Sequence, residues 1–475
     1  MRLLEKVNYS KLSIAFGALA AFMSDNSVAQ KSNRPNIIFI LTDDQRWDAL
    51  GCAGNKVIQT PEMDKLANGG INFRNAFVTT PISGASRASI LTGMRERTTG
   101  YVMAAKVPAQ PYMNKSYPAM LRESGYYTGF FGKLGIRYNE VHSIFDEVDI
   151  YDRDDKQPNR KGYYYKTIGK DTVHLTKFTS YQAQNFIKNA PQNKPFCLSL
   201  SFSAPHAHDS SKEQYFWDKE YDSLYENVTV APPLLGEDKY FMALPKEVRE
   251  GYSRLRWTWR FDTPEKYQRS VKGYYRMISM IDHEIGNIRK ALIEKGIDKN
   301  TIIIFMGDNG YFLGERQLAD KWLMYENSLH VPMMIYDPRN NKHQNITKPV
   351  LNIDIASTIL DMASVKTPGQ YQGVSLCNYY LKGRKVPQRK AILFEHLWEK
   401  PEIPSSEGIR TECWKYFRYR FIETPEELYD LKNDPLETVN LVSNPKFKKV
   451  LNELRKECDI QIEKYKGPNL VSYKN

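Results

Sequence analysis

The stretch Asn36-Ile-Ile-Phe-Ile-Leu-Thr-Asp-Asp44 is apolar at almost every position and ends in two carboxylates. A short, continuously apolar run predicts a strand that is covered on both faces, as in a parallel sheet. Apolar residues between positions 278 and 292 step by three and four, which predicts an amphipathic helix. Strands alternating with such helices indicate an α/β fold with a large, mostly parallel sheet flanked by helices. Further runs that predict strands of this sheet lie at 127–131, 196–202, 301–306 and 331–336.

The last part of the chain has a different pattern. Short aromatic-rich runs around 408–421 and 427–431 predict a few antiparallel strands, and the pattern from about 447 to 465 predicts a helix. We therefore predict an α/β domain over residues 30–390 and a small α+β subdomain with a short antiparallel sheet over residues 391–475.

The N-terminus has the composition of a secretory signal peptide, which we predict over residues 1–29. Three basic residues accompany an apolar stretch at 12–23, and Ser27-Val28-Ala29 supplies small residues for cleavage. The alternative is a buried N-terminal helix. No other stretch approaches the roughly 18 apolar residues of a membrane-spanning helix, so we predict no membrane span.

The composition is that of an ordinary globular protein. Of the 475 residues, 41% are hydrophobic and 26% are charged, which excludes a disordered, collagen-like or coiled-coil chain. The net charge of +12 comes from dispersed residues, and it fits either a solvated basic surface or attraction to a polyanion. We predict no nucleic-acid partner. Five cysteines without CxxC spacing argue against a zinc site and against a disulfide scaffold.

Polar residues follow each strong strand where it ends. Ligands of open α/β sheets gather at the carboxyl ends of the strands, so we expect these side chains to meet at one edge. Carboxylate and amide oxygens suit a hard cation such as Ca²⁺ or Mg²⁺ better than zinc or copper. The alternative for a lone Asp-Asp pair is a turn and a helix N-cap. The strand-end residues are Asp43, Asp44, Lys133, His206, Asp308 and Asn309.

The stretch Ser83-Gly-Ala-Ser-Arg-Ala-Ser-Ile-Leu-Thr-Gly93 resembles the signature of the sulfatase family. In that family the first residue is oxidised after synthesis to formylglycine and lies at a helix N-terminus, where the dipole and free N–H groups favour an anion. The resemblance covers nearly the whole chain after the predicted signal peptide. Its other motifs occur in the family's order at 35–44, 128–133, 204–206, 307–310, 320–326 and 427–435.

The resemblance implies a role for each of these side chains. The hydrate of formylglycine 83 attacks sulfur, Arg87, Lys133 and Lys321 supply positive charge to the sulfate, and His206 is the general acid for the leaving oxygen. Asp308 is an alternative base toward the attacking hydroxyl. Taken singly, the two lysines are equally well explained as surface residues. The implied ligands of one Ca²⁺ are Asp43, Asp44, Ser83, Asp308 and Asn309.

Two departures from the family pattern affect the predicted site. The family often has Gly-Lys-Trp-His-Leu-Gly, whereas here Gly132-Lys-Leu-Gly135 lacks the histidine that assists sulfate expulsion. The family also often has Gly-Glu/Asp-His-Gly, whereas here Arg316 follows Gly314-Glu315. We predict that Arg316 and His208 contact the substrate. The segment 208–259, rich in Trp, Tyr and Arg, either contributes to the substrate pocket or simply covers the sheet.

The resemblance also has implications for maturation and substrate. Serine-type sites of the family are matured by an oxygen-sensitive, radical-type sulfatase-maturating enzyme, which predicts a bacterial protein that is periplasmic, secreted or on the cell surface. The predicted function is removal of O-sulfate from sulfated carbohydrates: glycosaminoglycans, mucin glycans or algal glycans. Two alternatives stay open. One is a phosphonate monoester or phosphodiester hydrolase of the same superfamily, and the other is a non-catalytic glycan-binding relative.

Overall fold

The computed structural model describes residues 34–103, 110–340, 342–420 and 426–467. The predicted signal peptide, residues 1–29, lies outside the described residues. Within the described ranges, no helix combines the length and the apolar character that crossing a membrane requires.

The strands are numbered in chain order. They are β1 (Asn36–Thr42), β2 (Ile71–Phe73), β3 (Ala76–Phe77), β4 (Tyr127–Gly132), β5 (Glu147–Ile150), β6 (Lys166–Ile168), β7 (Asp171–Val173), β8 (Phe196–Ser201), β9 (Thr301–Gly307), β10 (Phe312–Leu313), β11 (Ala319–Asp320), β12 (His330–Val331), β13 (Met333–Tyr336), β14 (Gln344–Ile346), β15 (Val350–Leu351), β16 (Ile392–His396), β17 (Ser406–Arg410), β18 (Trp414–Tyr419) and β19 (Glu427–Asp430).

The α-helices are numbered in the same way. They are α1 (Pro61–Asn68), α2 (Ser83–Thr92), α3 (Glu96–Thr99), α4 (Gln110–Met113), α5 (Tyr117–Glu123), α6 (Leu175–Asn189), α7 (Asp238–Met242), α8 (Lys246–Arg249), α9 (Tyr252–Arg260), α10 (Pro264–Glu294), α11 (Glu326–Leu329), α12 (Asp354–Met362) and α13 (Lys448–Lys464).

The largest sheet has eight strands in the order β14-β2-β13-β9-β1-β8-β4-β5. The five strands from β9 to β5 run parallel to their neighbours, which confirms the predicted α/β architecture. The predicted strand at 331–336 differs in two respects. Val331 belongs to β12, in a separate three-stranded sheet, and β13 lies antiparallel to β9. The segment 308–332 between β9 and β13 contains the short strands β10, β11 and β12 and the four-residue helix α11, and it has no helix that could serve as the crossover of a parallel connection.

Both faces of the central strands are buried, and β1, which is buried at every position, shows why its sequence is continuously apolar. Ile38 and Ile40 pack in the layer that contains α1, α6 and α10. Ile37 and Phe39 point to the opposite layer, which contains α2, α5 and α12. Successive strand residues point to opposite faces, so a strand between two helical layers needs an apolar side chain at every position.

The C-terminal part contains the predicted antiparallel sheet. Strands β16, β17, β18 and β19 pair in that order, each antiparallel to the next. Helix α13 covers this sheet, with Leu451, Leu454 and Cys458 packed against Leu393 and Ile409. The predicted domain boundary at residues 390 and 391 falls directly before β16.

Candidate active site

The two central strands bring the predicted oxygen ligands together. Strands β1 and β9 are paired in parallel with Thr42 opposite Gly307, so Asp43 and Asp308 leave the sheet side by side. The backbone N–H of Asp308 donates to the carbonyl of Thr42 (2.9 Å), and that of Asp44 donates to Asp308 Oδ1 (3.1 Å). Asn309 Nδ2 donates to Asp44 Oδ1 (2.7 Å). The register of two neighbouring strands therefore fixes all four predicted ligands at one sheet edge.

Ser83 is the first residue of α2 and faces these ligands. Its Oγ lies 2.9 Å from Asp43 Oδ1 and 3.1 Å from Asn309 Oδ1. The side chain is buried, and the N–H groups of the first turn of α2 surround it, where an anion is favoured. The structure thus places the predicted nucleophile position within hydrogen-bond distance of two predicted metal ligands.

Three buried cations surround the carboxylates. Arg87, one helical turn after Ser83, donates from Nε to Asp308 Oδ2 (2.8 Å) and from Nη1 to the carbonyl of Lys133 (2.7 Å). The ammonium of Lys133 contacts Asp43 Oδ2. The ammonium of Lys321 contacts Asp44 Oδ1 and lies 3.4 Å from Ser83 Oγ. The reading of the two lysines as solvated surface residues is excluded, because both side chains are buried.

Two glycines shape the chain around Lys133. Gly132 has φ of +108°, and a Cβ there would lie 2.0 Å from the carbonyl oxygen of Ser201, so only glycine fits at the end of β4. Gly135 has φ of +71°, and a Cβ there would lie 2.7 Å from Arg87 Cδ. The shortened loop after Lys133 therefore packs directly against Arg87. At Gly135 it leaves no room for a side chain in place of the absent histidine.

His206 lies at the same edge. Its Nδ1 is 2.6 Å from the carbonyl oxygen of Ala207, which fixes Nδ1 as the donor and leaves Nε2 as an acceptor in the neutral ring. Nε2 lies 3.5 Å from Asp44 Oδ2. Burial and the nearby charges of Arg153 and Lys321 hold the pKa of His206 well below its usual value. To act as the predicted general acid, Nε2 must therefore first gain a proton, a step that the negative charge of a bound sulfate ester favours.

The pKa values of the carboxylates at the site are shifted in opposite directions. Burial raises the pKa of Asp44, and the neighbouring charges of Asp43 and Asp320 raise it further against the effect of Lys321. Burial and the charge of Asp43 also raise the pKa of Asp308. Burial acts in the same sense on Asp43, but Lys133 and the other cations hold its pKa well below the usual value.

The donor set fits a hard divalent cation. Asp44 Oδ2 is buried without a hydrogen-bond partner, although it is surrounded by polar groups. One ligand atom each from Asp43, Asp44 and His206 lies within 4.8 Å of the others, and these three form a candidate metal-binding group among the described residues. The amide oxygen of Asn309 and the carboxylate of Asp308 extend this group with oxygen ligands of the type that Ca²⁺ and Mg²⁺ prefer.

The two predicted substrate contacts have other partners. His208 is fully buried, with Nδ1 3.2 Å from Ser210 Oγ and its ring packed against Tyr163 and Phe216. Arg316 donates from Nη2 to the carbonyls of Leu436 (2.6 Å) and Glu437 (2.8 Å). Their contact with substrate stays a prediction that these interactions do not support.

Sequence reasoning missed two charged groups at the site. Asp152, just after β5, has Oδ2 3.4 Å from the ammonium of Lys133. Asp320 accepts from Nη1 of both Arg256 and Arg260, each at 2.7 Å, so two arginines neutralise a carboxylate next to Lys321. Asp152 could not be found from the pattern, because β5 before it is only partly buried and has no continuous apolar run. Asp320 could have been found, since it directly precedes Lys321 in the sequence.

Lys321 lies on an unusual backbone that the C-terminal part supports. Asp320 and Trp322, on either side of it, have φ of +74° and +81°, conformations that cost non-glycine residues about 1–3 kcal/mol each. Downstream, the Tyr325 hydroxyl donates to Glu427 Oε2 (2.7 Å). Upstream, the hydrogen bonds from Arg316 to the carbonyls of Leu436 and Glu437 hold the other end of this stretch.

Comparisons with known proteins agree with this geometry. The family model "Sulfatase" matches residues 35–365, and the model "N-sulphoglucosamine sulphohydrolase, C-terminal" matches residues 314–464. An N-acetylglucosamine-6-O-sulfatase from Bacteroides thetaiotaomicron is 28% identical, over 97% of this chain and 92% of that protein. An arylsulfatase from Clostridium perfringens is 29% identical, over 89% of this chain and 93% of that protein.

Solved structures share the fold. One, determined in complex with its substrate D-glucosamine-2-N,6-O-disulfate, superposes with a TM-score of 0.76 and 26% identity, covering 93% of this chain and 100% of that chain. A phosphonate monoester hydrolase from Silicibacter pomeroyi superposes with a TM-score of 0.74 at 20% identity, over 92% of this chain and 97% of that chain. At that identity the second likeness concerns the fold alone.

Proposed function

The chain belongs to the sulfatase family, and from this membership we propose that the protein removes O-sulfate from sulfated carbohydrates at the position of Ser83. It is a sulfuric ester hydrolase. The observation that carries the proposal is the place of Ser83 Oγ, between Asp43 and Asn309 and 3.4 Å from the ammonium of Lys321. Relatives named for N-acetylglucosamine 6-O-sulfate and for ulvan support a carbohydrate as the substrate.

We propose one Ca²⁺ as the metal and formylglycine as the form of residue 83 that reacts. Ca²⁺ would supply positive charge that polarises a sulfate oxygen, and formylglycine would supply the nucleophilic hydroxyl of an aldehyde hydrate. The unpartnered Asp44 Oδ2 supports the metal. The residues that would hold it are Asp43, Asp44, Asp308, Asn309 and residue 83.

The cations of this chain then bind and orient the sulfate. Arg87, Lys133 and Lys321 carry three positive charges. They face the carboxylates of Asp43, Asp44 and Asp308 and that of Asp152 beside Lys133. A divalent cation would still leave this set net positive for an anionic ester. The Nη2 of Arg87 is buried without a hydrogen-bond partner and can donate to a sulfate oxygen. These donors are held in place before the substrate arrives, which lowers the cost of stabilising charge in the transition state.

His206 handles the proton of the leaving group. Its Nδ1 bond to the carbonyl of Ala207 directs Nε2 toward Asp44 and the reacting groups. Once protonated, Nε2 donates to the ester oxygen as the S–O bond breaks. No histidine follows Lys133 in the stretch Gly132-Lys-Leu-Gly135, and Lys321, whose Nζ lies 3.4 Å from Ser83 Oγ, is positioned to donate during the release of sulfate.

Maturation and location follow from the same proposal. A radical-type sulfatase-maturating enzyme would convert Ser83 during synthesis, and the predicted signal peptide would direct the protein to the periplasm or the cell surface of a bacterium. We also propose that residues 30–390 form the catalytic α/β domain and residues 391–475 a subdomain that supports it.

The test is co-expression with a serine-type maturase, followed by two measurements. Mass spectrometry of the peptide that contains residue 83 should show the mass of formylglycine, and ion chromatography should detect sulfate released from N-acetylglucosamine 6-sulfate or another member of a sulfated-sugar panel. Faster turnover of phosphodiesters than of any sulfate ester would favour the phosphonate or phosphodiester alternative. An unmodified serine with retained glycan binding would favour the non-catalytic alternative.

A further inference from the structure

An aromatic wall borders the position of Ser83. We use this name for Trp322, Tyr252 and Trp398, which pack with the apolar cluster that includes Ile82, the residue directly before Ser83. The backbone N–H of Trp322 donates to the carbonyl of Pro81 (3.1 Å). Trp322 is buried, whereas Tyr252 and Trp398 are only partly buried. The wall therefore reaches from the floor of the site toward solvent.

A tight turn joins the outer part of this wall to α9. The N–H of Tyr252, the first residue of α9, donates to the carbonyl of Glu402 (2.9 Å). The N–H of Ile403 donates to the carbonyl of Lys400 (2.8 Å), and Ile403 packs in the same apolar cluster as Ile82. The turn at 400–403 is thus fixed against the wall by backbone bonds and by an apolar contact.

This turn carries Lys400 to the face of the wall. Its Nζ lies 3.8 Å from the ring centroid of Tyr252 and 5.5 Å from that of Trp398, distances at which an ammonium interacts with an aromatic face. Glu402 supplies the one carboxylate within 4.0 Å of Nζ among the described residues, at 3.9 Å. The Lys400 side chain is 28% exposed. The rings hold the ammonium in place but do not neutralise its charge.

Arg256, on the inner side of the same wall, differs from Lys400 in its carboxylate partners. Its guanidinium lies 5.0 Å from the ring of Trp322, and Asp209 and Asp320 accept from it at 2.7 Å each. The same two carboxylates also pair with Arg260, so two carboxylates neutralise two arginines and Arg256 has little charge left to attract a ligand. Lys400 is oriented by two rings and has one distant, half-exposed carboxylate partner, Glu402, so much of its charge is available to an anion.

We infer that Lys400 binds a second anionic group of the substrate, on the sugar whose sulfate ester lies at residue 83, while the aromatic wall contacts the sugar ring. The inference rests on the proposed function and names the substrate class more narrowly: a sugar with two anionic groups. That second group is a sulfate or a carboxylate, which an ammonium binds alike through charge-assisted hydrogen bonds. The same ammonium repels a cationic leaving group.

The test compares substrates that differ in one anionic group. We would measure kcat/KM for N-acetylglucosamine 6-sulfate, for D-glucosamine 2-N,6-O-disulfate and for a uronate-containing disaccharide with one 6-sulfate. Wild-type enzyme should prefer one or both of the dianionic substrates, and the preferred one identifies sulfate or carboxylate. Lys400→Ala should reduce that preference about tenfold, the effect of one charge-assisted hydrogen bond, and Lys400→Arg should restore most of it.

Lys290→Ala is the matched control. Lys290 is exposed near the C-terminal end of α10, which leads to the start of β9 and so lies at the sheet edge opposite Asp308. This variant should keep the wild-type preference, and thermal unfolding checks that all variants are folded.

The outcomes separate this inference from the proposed function. Equal preference in wild type and Lys400→Ala, with sulfate still released, overturns the inference and leaves the function standing. An equal loss of kcat/KM on all three substrates in Lys400→Ala also overturns the inference, because Lys400 would then not recognise a second anionic group. Absence of sulfate release from every substrate of the panel, with a modified residue 83, counts against the proposed function itself.

Discussion

Two buried clusters of opposite charges differ in how completely their atoms are paired. The first, the strand-end cluster, consists of Asp43, Asp44, Asp308, Asn309, Ser83, Arg87, Lys133, Lys321 and His206. The second, the C-terminal network, consists of Arg97, Glu395, Glu407 and Arg418. The first leaves Asp44 Oδ2 and Arg87 Nη2 buried without a hydrogen-bond partner, whereas the second has no such atom among its members.

The C-terminal network joins α3 to the antiparallel sheet. Arg97 donates from Nε to Glu395 Oε2 and from Nη2 to Glu407 Oε2, each at 2.7 Å. The backbone N–H of Arg97 donates to Glu395 Oε1 (3.0 Å), and Arg418 Nη2 donates to Glu407 Oε1 (2.9 Å). Buried charge is costly unless it is fully paired. Complete pairing marks a cluster that serves the architecture, and incomplete pairing at a sheet edge marks one that serves a ligand.

The largest expected effect is on activity, at the strand-end cluster. Ser83→Ala removes the residue that is converted, so sulfate release should fall at least a thousandfold, as when other catalytic nucleophiles are removed. The melting temperature should stay within about 2 °C of the wild-type value, because removing one small hydroxyl from a polar site changes the packing of the apolar core little. Retained turnover would contradict the assignment of Ser83.

The next effect concerns stability, at the C-terminal network. Arg97→Met removes one partner of a buried ion pair and should lower the free energy of unfolding by about 3–5 kcal/mol. Urea denaturation measures this loss. Arg122→Met, in a half-exposed pair with Asp146, is the control and should cost less than about 1 kcal/mol. Similar losses in the two variants would remove the contrast between buried and exposed pairs.

Metal addition should distinguish the two clusters directly. Ca²⁺ at about one hundred times its dissociation constant should stabilise the wild-type protein by about 2.7 kcal/mol, measured as a rise in melting temperature. Asp308→Asn should lose most of this rise, since it removes a charged ligand. Arg97→Met should keep it, although its starting temperature is lower. An equal rise in Asp308→Asn would show that Ca²⁺ binds elsewhere.

The smallest predicted effect is a pH dependence at His174, which belongs to neither cluster. His174 caps α6, where its Nδ1 accepts from the N–H of Thr176 (3.1 Å), and burial lowers its pKa to about 4. Between pH 6.5 and 4 the unfolded histidine binds a proton that the native one does not, so stability falls as pH falls.

The matched variant is His174→Asn, which keeps a cap acceptor but cannot titrate. Its stability loss between pH 7 and pH 4.5 should be about 2 kcal/mol smaller than that of the wild type, as measured by urea denaturation at both values. If the variant loses as much stability between the two pH values as the wild type does, groups other than His174 cause the loss of stability in acid.

The sequence predicted the sheet and the strand-end cluster for a simple reason. Strands such as β1 are apolar on both faces, and their ends carry polar residues whose meeting point follows from parallel pairing. The direction of β13 could not be predicted, because an apolar run does not encode its partner. Asp152 was missed, and the partner of Arg316 was not foreseen, because the groups that they contact, the ammonium of Lys133 and the carbonyl of Leu436, cannot be read from the local sequence.

The support of Lys321 from the C-terminal part has a consequence for protein engineering. The strained stretch from Arg316 to Trp322 is anchored to Leu436 upstream and, through Tyr325, to Glu427 downstream. A fragment truncated at residue 390 would retain the motifs of the sheet edge and yet lose both of these anchors around that lysine. Chimeras between homologues should therefore exchange residues 314–326 and the C-terminal sheet together, as a single cassette.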